Sequence, residues 1–466
     1  MPDPPLAAPA PGKPLLLLGA FDIGALGYVA EEFFVSGTAF SYTPAAELGP
    51  DGRWSVTPSG TAEYTTRIVV LTPADPAHFN GTALVEWLNV SGGIDAPAVW
   101  MMAHREILRA GYAYVAVSAQ QVGVEGGANL LGFDMSLKSQ DPERYAALRH
   151  PGDAFAYDIF SQTGELVRNG LLGDLRVRHV IAVGESQSAM FLTTYVNAVD
   201  PLTRSYDGFL VHSRFATAAP LDDISIFDES QANSPEAVAF RPDLRAPVVT
   251  IITETDLFGP VRHGYYFARQ PDNERLRVWE IPGAAHADNY TIQVAPIDDG
   301  SAPVDAIVAA YAPTNMLMGQ ELEHYINFGP QHHYVVQAAL AALHTWVRTG
   351  EPAPTAAPIG AHESDQPRPI LDPNGIAHGG VRTPWVDVPI ARTSGMGATE
   401  SVMAAIFGSG EPFDAATLHR LYPGGAEQYL DGFTAALDKA IEARFILPTD
   451  RAEILELAEA TFPAQP

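Results

Sequence analysis

The 466-residue chain has no cysteine and only three lysines, Lys13, Lys138 and Lys439. The lack of cysteine excludes a disulfide framework, a thiolate zinc site, an iron–sulfur cluster and a thiol nucleophile. Any covalent nucleophile in this protein must therefore be an oxygen or an amine.

Basic side chains are also scarce, since 27 Lys and Arg stand against 55 Asp and Glu, a formal net charge of −28. This charge repels phosphate backbones and anionic membrane surfaces, and no cluster of Lys and Arg offsets it. We therefore expect neither a nucleic acid nor a membrane as a partner. A neutral small molecule is favoured as the ligand over a strongly anionic one.

Long apolar runs are missing as well. No stretch approaches the roughly 18 apolar residues of a membrane span, and the first residues, Met1–Pro5, lack the positive region of a signal peptide. With 47% apolar residues and no collagen-like glycine period, the composition is that of a folded globular protein. We expect it to be cytoplasmic.

Apolar segments of strand length alternate with amphipathic segments of helix length along the chain. Antiparallel strands are predicted within about 28–73. Further strands are predicted at 82–90, 112–118, 177–183, 208–212, 248–253 and 276–281, and helices at 96–109, 154–168, 188–199 and 335–348. Nearly continuous Val, Ile and Leu runs are typical of parallel strands covered on both faces. The pattern predicts an α/β fold with a mostly parallel, doubly wound sheet.

Two irregular stretches interrupt this alternation, at about 215–245 and 288–330, and both are candidate cap or lid insertions. A Pro/Ala-rich linker follows the last predicted helix. We therefore expect a body over residues 1–348 that includes both insertions. Residues 349–466 would form a linker and a C-terminal extension packed on the body.

The strongest chemical signal is the run Gly184-Glu185-Ser186-Gln187-Ser188, which ends an apolar strand and opens a helix. It is a Gly-x-Ser-x-Gly nucleophile elbow with one substitution. In such a turn the serine adopts a strained conformation, and small residues flank it because strand and helix cross closely. Ser188 is small enough for the second glycine position. Ser186 is the predicted nucleophile.

A serine nucleophile needs a histidine base and an acid that orients the imidazole, and in this fold they follow the serine as acid and then histidine. The strand at 248–253 is followed by Glu254 and Asp256, and the strand at 276–281 is followed by His286. We predict His286 as the base and Asp256 as the acid. Glu254 stays open as the alternative acid.

Other residues near these strand ends are candidates for the rest of the site. The backbone N–H of Gln187 begins the helix and is a predicted oxyanion donor. A second donor is expected from Val90 or Ser91, in the loop after strand 82–90. Three further residues are candidate pocket-lining side chains, the last of them also a rival to the predicted base: Asn89, Trp87 and His212.

Metal binding has little support in the sequence. His332-His333 and Glu321-x-Glu323-His324 are close along the chain, but there is no His-Glu-x-x-His run. The glycine-rich segment 123–127 matches neither a dinucleotide fingerprint nor a Walker pattern. We therefore expect no metal and no cofactor.

Several phrases together resemble the α/β-hydrolase superfamily, over about residues 28–348, and more narrowly a group of bacterial α/β-hydrolase-domain proteins. These phrases are Val85-Glu86-Trp87-Leu88-Asn89-Val90-Ser91, Gly184-Glu185-Ser186-Gln187-Ser188, Trp279-Glu280-Ile281-Pro282-Gly283-Ala284-Ala285-His286-Ala287-Asp288 and Gly379-Gly380-Val381-Arg382-Thr383-Pro384-Trp385. The resemblance implies Ser186 as nucleophile, His286 as base and a carboxylate from 253–256. Ser188 departs from the usual glycine.

The residues and the resemblance together predict a serine hydrolase that cleaves a carboxylic ester or lactone through an acyl-enzyme. The expected substrate is a neutral, partly apolar small molecule. Two alternatives stay open: an acyltransferase that uses the same triad, and a catalytically silent scaffold that binds a ligand. The fold alone does not choose between them.

Overall fold

A nine-stranded sheet runs through the centre of the computed structural model, which describes residues 4–226, 235–259, 262–397 and 401–463. Its strands are β1 (Leu6–Pro9), β2 (Tyr28–Pro44), β3 (Val56–Pro73), β4 (Thr82–Trp87), β5 (Ala113–Val117), β6 (His179–Glu185), β7 (Gly208–His212), β8 (Val248–Thr253) and β9 (Leu276–Ile281). Their spatial order is β1-β2-β3-β5-β4-β6-β7-β8-β9. The run from β5 to β9 is parallel, and β1, β2 and β3 join it antiparallel. The predicted mostly parallel α/β sheet is confirmed.

Helices cover both faces of this sheet. They are α1 (Ala98–Arg109), α2 (Gln121–Glu125), α3 (Leu137–Gln140), α4 (Ala156–Leu166), α5 (Gln187–Thr194), α6 (Asp200–Thr203), α7 (Glu254–Phe258), α8 (Val304–Ala310), α9 (Gln331–Thr349), α10 (Pro384–Asp387), α11 (Val402–Ile406), α12 (Ala415–Leu421), α13 (Gly425–Glu442) and α14 (Arg451–Thr461). Within the part of the chain that is described, none of them has the length and apolarity needed to cross a lipid bilayer.

The alternation of side chains along β4 shows that the sheet contributes to two hydrophobic cores, one on each face. Ala83, Val85 and Trp87 point to the face covered by α4 and α5, whereas Leu84 points to the face covered by α1 and α9. All six β4 side chains are buried. Burial on both faces explains why β4 reads as a continuous apolar run.

Some helices and strands begin or end at other residues than the sequence predicts. The helix expected at 188–199 begins at Gln187 and ends as α5 at Thr194, and a π-helical turn, Tyr195–Val199, continues it. A second such turn, Val167–Leu171, follows α4. Strand β1 was not predicted, because its four residues, Leu-Ala-Ala-Pro, include no β-branched or aromatic side chain.

The regions outside the sheet carry the remaining short elements. The 288–330 stretch contains α8 and the hairpin of β10 (Met316–Leu317) with β11 (Gln320–Glu321). The other predicted insertion, 215–245, includes residues 227–234, which lie outside the described residues. After residue 349, two small hairpins form: β12 (Ala361–His362) with β13 (Arg368–Pro369), and β14 (Ala391–Ser394) with β15 (Ser409–Pro412).

Partly buried ion pairs join the C-terminal residues to the sheet layer. Arg105 of α1 contacts Glu453 at 2.7 Å, and Arg109 contacts Asp450 at 2.5 Å. Asp450 is fully buried, so removing either arginine would leave a buried carboxylate with fewer partners. These contacts hold α14 against α1.

Candidate active site

The predicted chemical residues all lie where parallel strands end. Ser186 directly follows β6, Asp256 lies in α7 immediately after β8, and His286 lies in the loop after β9. The carboxyl ends of parallel strands meet at one edge of the sheet, which is where open α/β sheets bind ligands. The structure therefore brings together residues 100 positions apart in the chain.

Ser186 adopts a strained backbone conformation, with φ 60° and ψ −117°. Positive φ is costly for a residue with a Cβ, and the surroundings must hold it in place. The Ser186 N–H donates to the carbonyl of His212 on β7 (2.9 Å), and its carbonyl accepts from Met190 in α5 (3.2 Å). The turn thus presents the half-buried Ser186 hydroxyl at the sheet edge.

The crossing of β6 and α5 explains the small residues around Ser186. A Cβ added to Gly184 would lie 2.9 Å from Leu192 and 3.1 Å from the Cβ of Ser188. A larger side chain at 184 would therefore crowd Leu192 and Ser188 of α5. Serine fits at 188 because its Cβ faces this glycine.

Three side chains form a continuous hydrogen-bonded chain. The Ser186 Oγ lies 2.7 Å from His286 Nε2, and His286 Nδ1 lies 2.6 Å from Asp256 Oδ1. An ionised carboxylate only accepts hydrogen bonds, so in the neutral imidazole Nδ1 carries the hydrogen and Nε2 is left as the acceptor for the serine hydroxyl. This arrangement allows proton transfer from Ser186 to His286.

Asp256 is held in place by its own strand end. Its Oδ2 accepts from the backbone N–H of Thr253 (2.8 Å) and from the Thr253 hydroxyl (2.7 Å), a capping box that begins α7. Both carboxylate oxygens are therefore engaged, one by Thr253 and one by His286. Asp256 is fully buried.

Glu254, the alternative acid, faces away from the imidazole. Its Oε1 accepts from Gly283 N–H (2.6 Å), and its Oε2 accepts from the Ser394 hydroxyl (2.6 Å) and Gly395 N–H (3.0 Å). Burial raises the pKa of Glu254, while these hydrogen bonds oppose that effect. Glu254 thus ties the His286 loop to the C-terminal segment.

The electrostatics around His286 favour its charged form. Burial alone would lower its pKa, but the carboxylates of Asp256 and Glu185 raise the pKa of His286 to about 9. The imidazolium produced when Ser186 loses its proton would therefore be stabilised by two carboxylates.

Glu185 is a site residue that the sequence reasoning did not identify. Its Oε1 lies 3.5 Å from His286 Nε2, and its Oε2 accepts from the side-chain amide of Asn89 (3.3 Å). Burial raises the pKa of Glu185 to about 7. Its position beside Ser186 was the available signal, because the residue before the nucleophile leaves the strand at the same edge.

His212, a candidate pocket residue, lines the cavity, and its ring does not contact Ser186. Its Nε2 lies 2.8 Å from His332 Nε2, and His332 Nδ1 lies 3.4 Å from a carboxylate oxygen of Asp288. Burial and the neighbouring histidines hold the pKa of His212 well below its usual range. The His212 side chain is therefore neutral, and it is the backbone carbonyl of His212 that holds the N–H of Ser186.

The predicted oxyanion donors differ in their surroundings. The N–H of Gln187 is the first of α5 and has no acceptor within the helix. The N–H of Val90 donates to the Gln187 side chain (3.3 Å), and the N–H of Ser91 donates to the Asn89 side chain (2.8 Å). Ser91 and Asn89 line the cavity beside Ser186, whereas Val90 does not.

The prediction that Trp87 lines the pocket needs correction. Trp87 packs in the core against Phe160 and Phe191, and its indole N–H donates to Gln120. The reason is that Trp87 shares a face of β4 with Val85, so its indole packs in the core beneath α4 and α5 and does not reach the cavity. Its link to the site is indirect, because Gln120 also accepts from the Gln187 side chain (2.6 Å).

A cavity of about 470 Å³ opens in front of Ser186 and His286. Its walls are mainly apolar and come from distant segments, including Met101, Leu131, Met190, Phe215, Ile292 and Met403. Three cavity residues are also exposed large apolar side chains, Leu130, Met318 and Val402. The volume and lining suit a drug-sized, partly apolar molecule.

Across the described parts of the chain, no three His, Asp or Glu side chains are arranged to hold a metal ion. The paired His332 and His333 face different partners. His332 contacts His212, whereas His333 stacks on Tyr290 with ring centroids 3.7 Å apart.

Comparisons with known proteins give one match along nearly the whole chain. A family model described as an alpha/beta hydrolase domain matches residues 3–456. A search of curated proteins found no match.

Solved structures with a similar arrangement include three hydrolases. A fungal esterase from Rhizomucor miehei is 11% identical, covering 67% of this chain and 85% of its own, with a TM-score of 0.35. An α/β serine hydrolase without a lid from Xanthomonas campestris is 13% identical, covering 53% and 86%, with a TM-score of 0.31. A thermostable esterase from Pseudomonas putida is 10% identical, covering 51% and 66%, with a TM-score of 0.28. Such distant likenesses carry no information about the substrate of this chain.

Proposed function

Because this chain belongs to the alpha/beta hydrolase domain family, we propose that it is a serine hydrolase of carboxylic esters or lactones. The observation that carries the proposal is the hydrogen-bonded chain from Ser186 through His286 to Asp256. A serine in a strained turn, a base at 2.7 Å and a buried acid behind that base are the parts that nucleophilic acyl transfer needs.

The reaction proceeds in two halves. Ser186 Oγ attacks the carbonyl carbon while its proton moves to His286 Nε2, and the tetrahedral intermediate collapses when His286 gives that proton to the departing alcohol. Water then attacks the acyl-enzyme, again losing a proton to His286, and the acid leaves as Ser186 regains its hydrogen. Asp256 keeps the imidazole in the tautomer that accepts from the serine.

Developing negative charge on the substrate oxygen needs hydrogen-bond donors. We assign the first to the Gln187 N–H, which begins α5 and has no helical acceptor. Of the two predicted second donors, we favour Ser91 because it lines the cavity. Its N–H must leave the Asn89 side chain as the oxyanion forms.

The cavity suggests the class of substrate. Apolar walls bind hydrocarbon, and the exposed apolar side chains of Leu130, Met318 and Val402 extend that surface outward from the cavity. Both the net charge of −28 and the Glu185 carboxylate disfavour an anionic group at this site. We therefore propose a neutral ester with an apolar chain.

A fluorophosphonate probe tests the nucleophile directly. The full-length protein is labelled, digested and analysed by peptide mass spectrometry, and hydrolysis of a short-chain ester is measured in parallel. We expect one adduct on Ser186, with Ser186→Ala losing both the adduct and the ester turnover. Circular dichroism provides the folding control for the variant.

A wild-type protein that remains unlabelled and does not hydrolyse any ester in a panel of acyl and alcohol sizes would contradict the proposal. It would instead favour the catalytically silent scaffold.

A further inference from the structure

The carboxylate of Glu185 faces the nitrogen of His286 that exchanges a proton with Ser186. Its Oε1 lies 3.5 Å from Nε2, while Ser186 Oγ lies 2.7 Å from the same atom. Asp256 contacts the opposite nitrogen of the ring. The imidazole therefore lies between two buried carboxylates, one at each nitrogen.

The orientation of Glu185 is constrained by its neighbours. Asn89 donates from its side-chain amide to both the backbone carbonyl (3.1 Å) and Oε2 (3.3 Å) of Glu185. The other carboxylate oxygen, Oε1, is then directed toward His286. Glu185 is only 9% exposed, so solvent screens this contact weakly.

Other ionisable groups act on the pair from the surrounding elements. Asp256 from α7 opposes the ionisation of Glu185, and His332 from α9 favours it. The pKa of Glu86 on β4, raised mainly by burial, is raised further by Glu185. His212 from β7 is neutral and contacts His332. Among these groups, His286 is the one that lies within ion-pair distance of the Glu185 carboxylate.

We propose that Glu185 is a second carboxylate partner of His286, which stabilises the imidazolium during catalysis and makes base availability depend on Glu185. The inference rests on the proposed function. Glu185 acts through His286 and is therefore a positioning residue, whose carboxylate stabilises the positive charge on the imidazole.

The pKa directions of the two groups agree with this geometry. Burial raises the pKa of Glu185 to about 7, and although burial would lower it, the two carboxylates raise the pKa of His286 to about 9. Groups that interact this closely titrate as a pair. With His286 needed in its neutral form as the base, kcat/KM of the wild-type enzyme should rise with pH up to about 9.

The experiment compares kcat/KM against pH for the wild type, Glu185→Gln and Glu86→Gln. Glutamine at 185 keeps the size and removes the negative charge. An opposite charge at this range shifts a pKa by about 1–3 units. The acid limb, which is the rising low-pH part of the kcat/KM profile, should therefore move to lower pH by about one unit or more in Glu185→Gln. The high-pH plateau should fall, since the imidazolium loses one carboxylate.

Glu86 is the matched control because it is also a fully buried carboxylate, with a pKa that burial raises to about 8. Its oxygens accept from the N–H groups of Val99 and Trp100 and from the Tyr114 hydroxyl, and they do not contact His286. The acid limb of Glu86→Gln should move clearly less than that of Glu185→Gln, because Glu86 acts on the pair from a distance and does not contact His286.

An acid limb that stays in place in Glu185→Gln overturns the proposal, as does an equal shift in both glutamine variants. If turnover of Glu185→Gln is too slow to measure, the pH dependence of fluorophosphonate labelling at Ser186 is measured on the folded fraction and must show the same downward shift. Failure of wild-type Ser186 to label would refute the hydrolase itself, which is a different result from an unmoved limb.

Discussion

Replacing Asp256 with asparagine should stop turnover by forcing the wrong tautomer on His286. In the wild type, Asp256 Oδ2 accepts two hydrogen bonds from Thr253, and Oδ1 accepts from His286 Nδ1. Asparagine has one oxygen and one NH2 group for these positions. Because Thr253 offers two donors, the oxygen turns toward Thr253 and the NH2 turns toward His286.

The consequence follows from the single hydrogen on a neutral imidazole. An NH2 donor at Nδ1 makes that nitrogen the acceptor, so the hydrogen moves to Nε2, which faces Ser186 at 2.7 Å. Nε2 then cannot accept the serine proton. For a Ser-His-Asp triad this change lowers kcat by about 10⁴-fold with the geometry intact. We expect a loss of that order, with Ser186 still present and the protein folded.

Glu254→Gln is the contrasting variant. Glu254 also lies after β8 and is fully buried, but its oxygens accept from Gly283, Ser394 and Gly395, and none contacts His286. Losing hydrogen bonds to a charged group costs about 1.5–3 kcal/mol of stability. We expect a lower Tm and a kcat within about tenfold of the wild type, since the loop carrying His286 is only loosened.

Both variants are assayed with one ester at saturating concentration, and their unfolding is followed by circular dichroism. The folded fraction normalises kcat, which separates chemistry from stability. If Glu254→Gln loses about 10⁴-fold while Asp256→Asn keeps near wild-type turnover, the roles of the two carboxylates are reversed and the tautomer argument is refuted.

Two further predictions concern the walls of the site. Met318→Ser should lower kcat/KM for an octanoate ester by about fourfold and leave an acetate ester unchanged, since Met318 is an exposed apolar cavity residue and the loss of one buried CH2 contact costs about 0.8 kcal/mol. Equal effects on both esters, or the same loss in the exposed control Leu202→Ser, would count against this prediction. Gly395→Ala should lower Tm and kcat, because its Cβ would lie 2.4 Å from the backbone nitrogen of Thr255 and 2.6 Å from the Ala284 carbonyl, and overpacking of this kind costs about 1–3 kcal/mol. The control Gly432→Ala meets nothing closer than 3.6 Å, so an equal Tm loss there would contradict the reasoning.

Much of the fold was predictable because its signals are local. The buried strands β7, β8 and β9 have the predicted bounds, since Val/Ile/Leu runs of that length are recognisable without neighbours. Strand β1 was missed because it forms by pairing with β2 and its four residues have no strong strand preference of their own. Likewise, the π-helical turn after α5 changes the end of that helix without changing its composition.

The candidate site was partly predictable for a different reason. Chain order is informative here, because the loops that follow parallel strands all lie at the same edge of the sheet. The elbow motif selected Ser186, and chain order then selected His286 and narrowed the acid to two neighbours. Chain order also suggested Trp87 as a pocket residue, but a side chain at the end of a strand can still pack in the core, as Trp87 does.

By itself, the sequence determined the chemistry available to this protein. It excluded thiols, provided a serine between small residues at a strand end, and arranged an acid and a histidine after it in the required order. Only the tertiary structure decided which carboxylate contacts His286, that Glu185 faces the other nitrogen, and which loop amides already have acceptors. The physical reason is range, because strand and helix patterns act over a few residues, whereas each of these contacts joins segments tens of residues apart or more and depends on distances of a few tenths of an ångström.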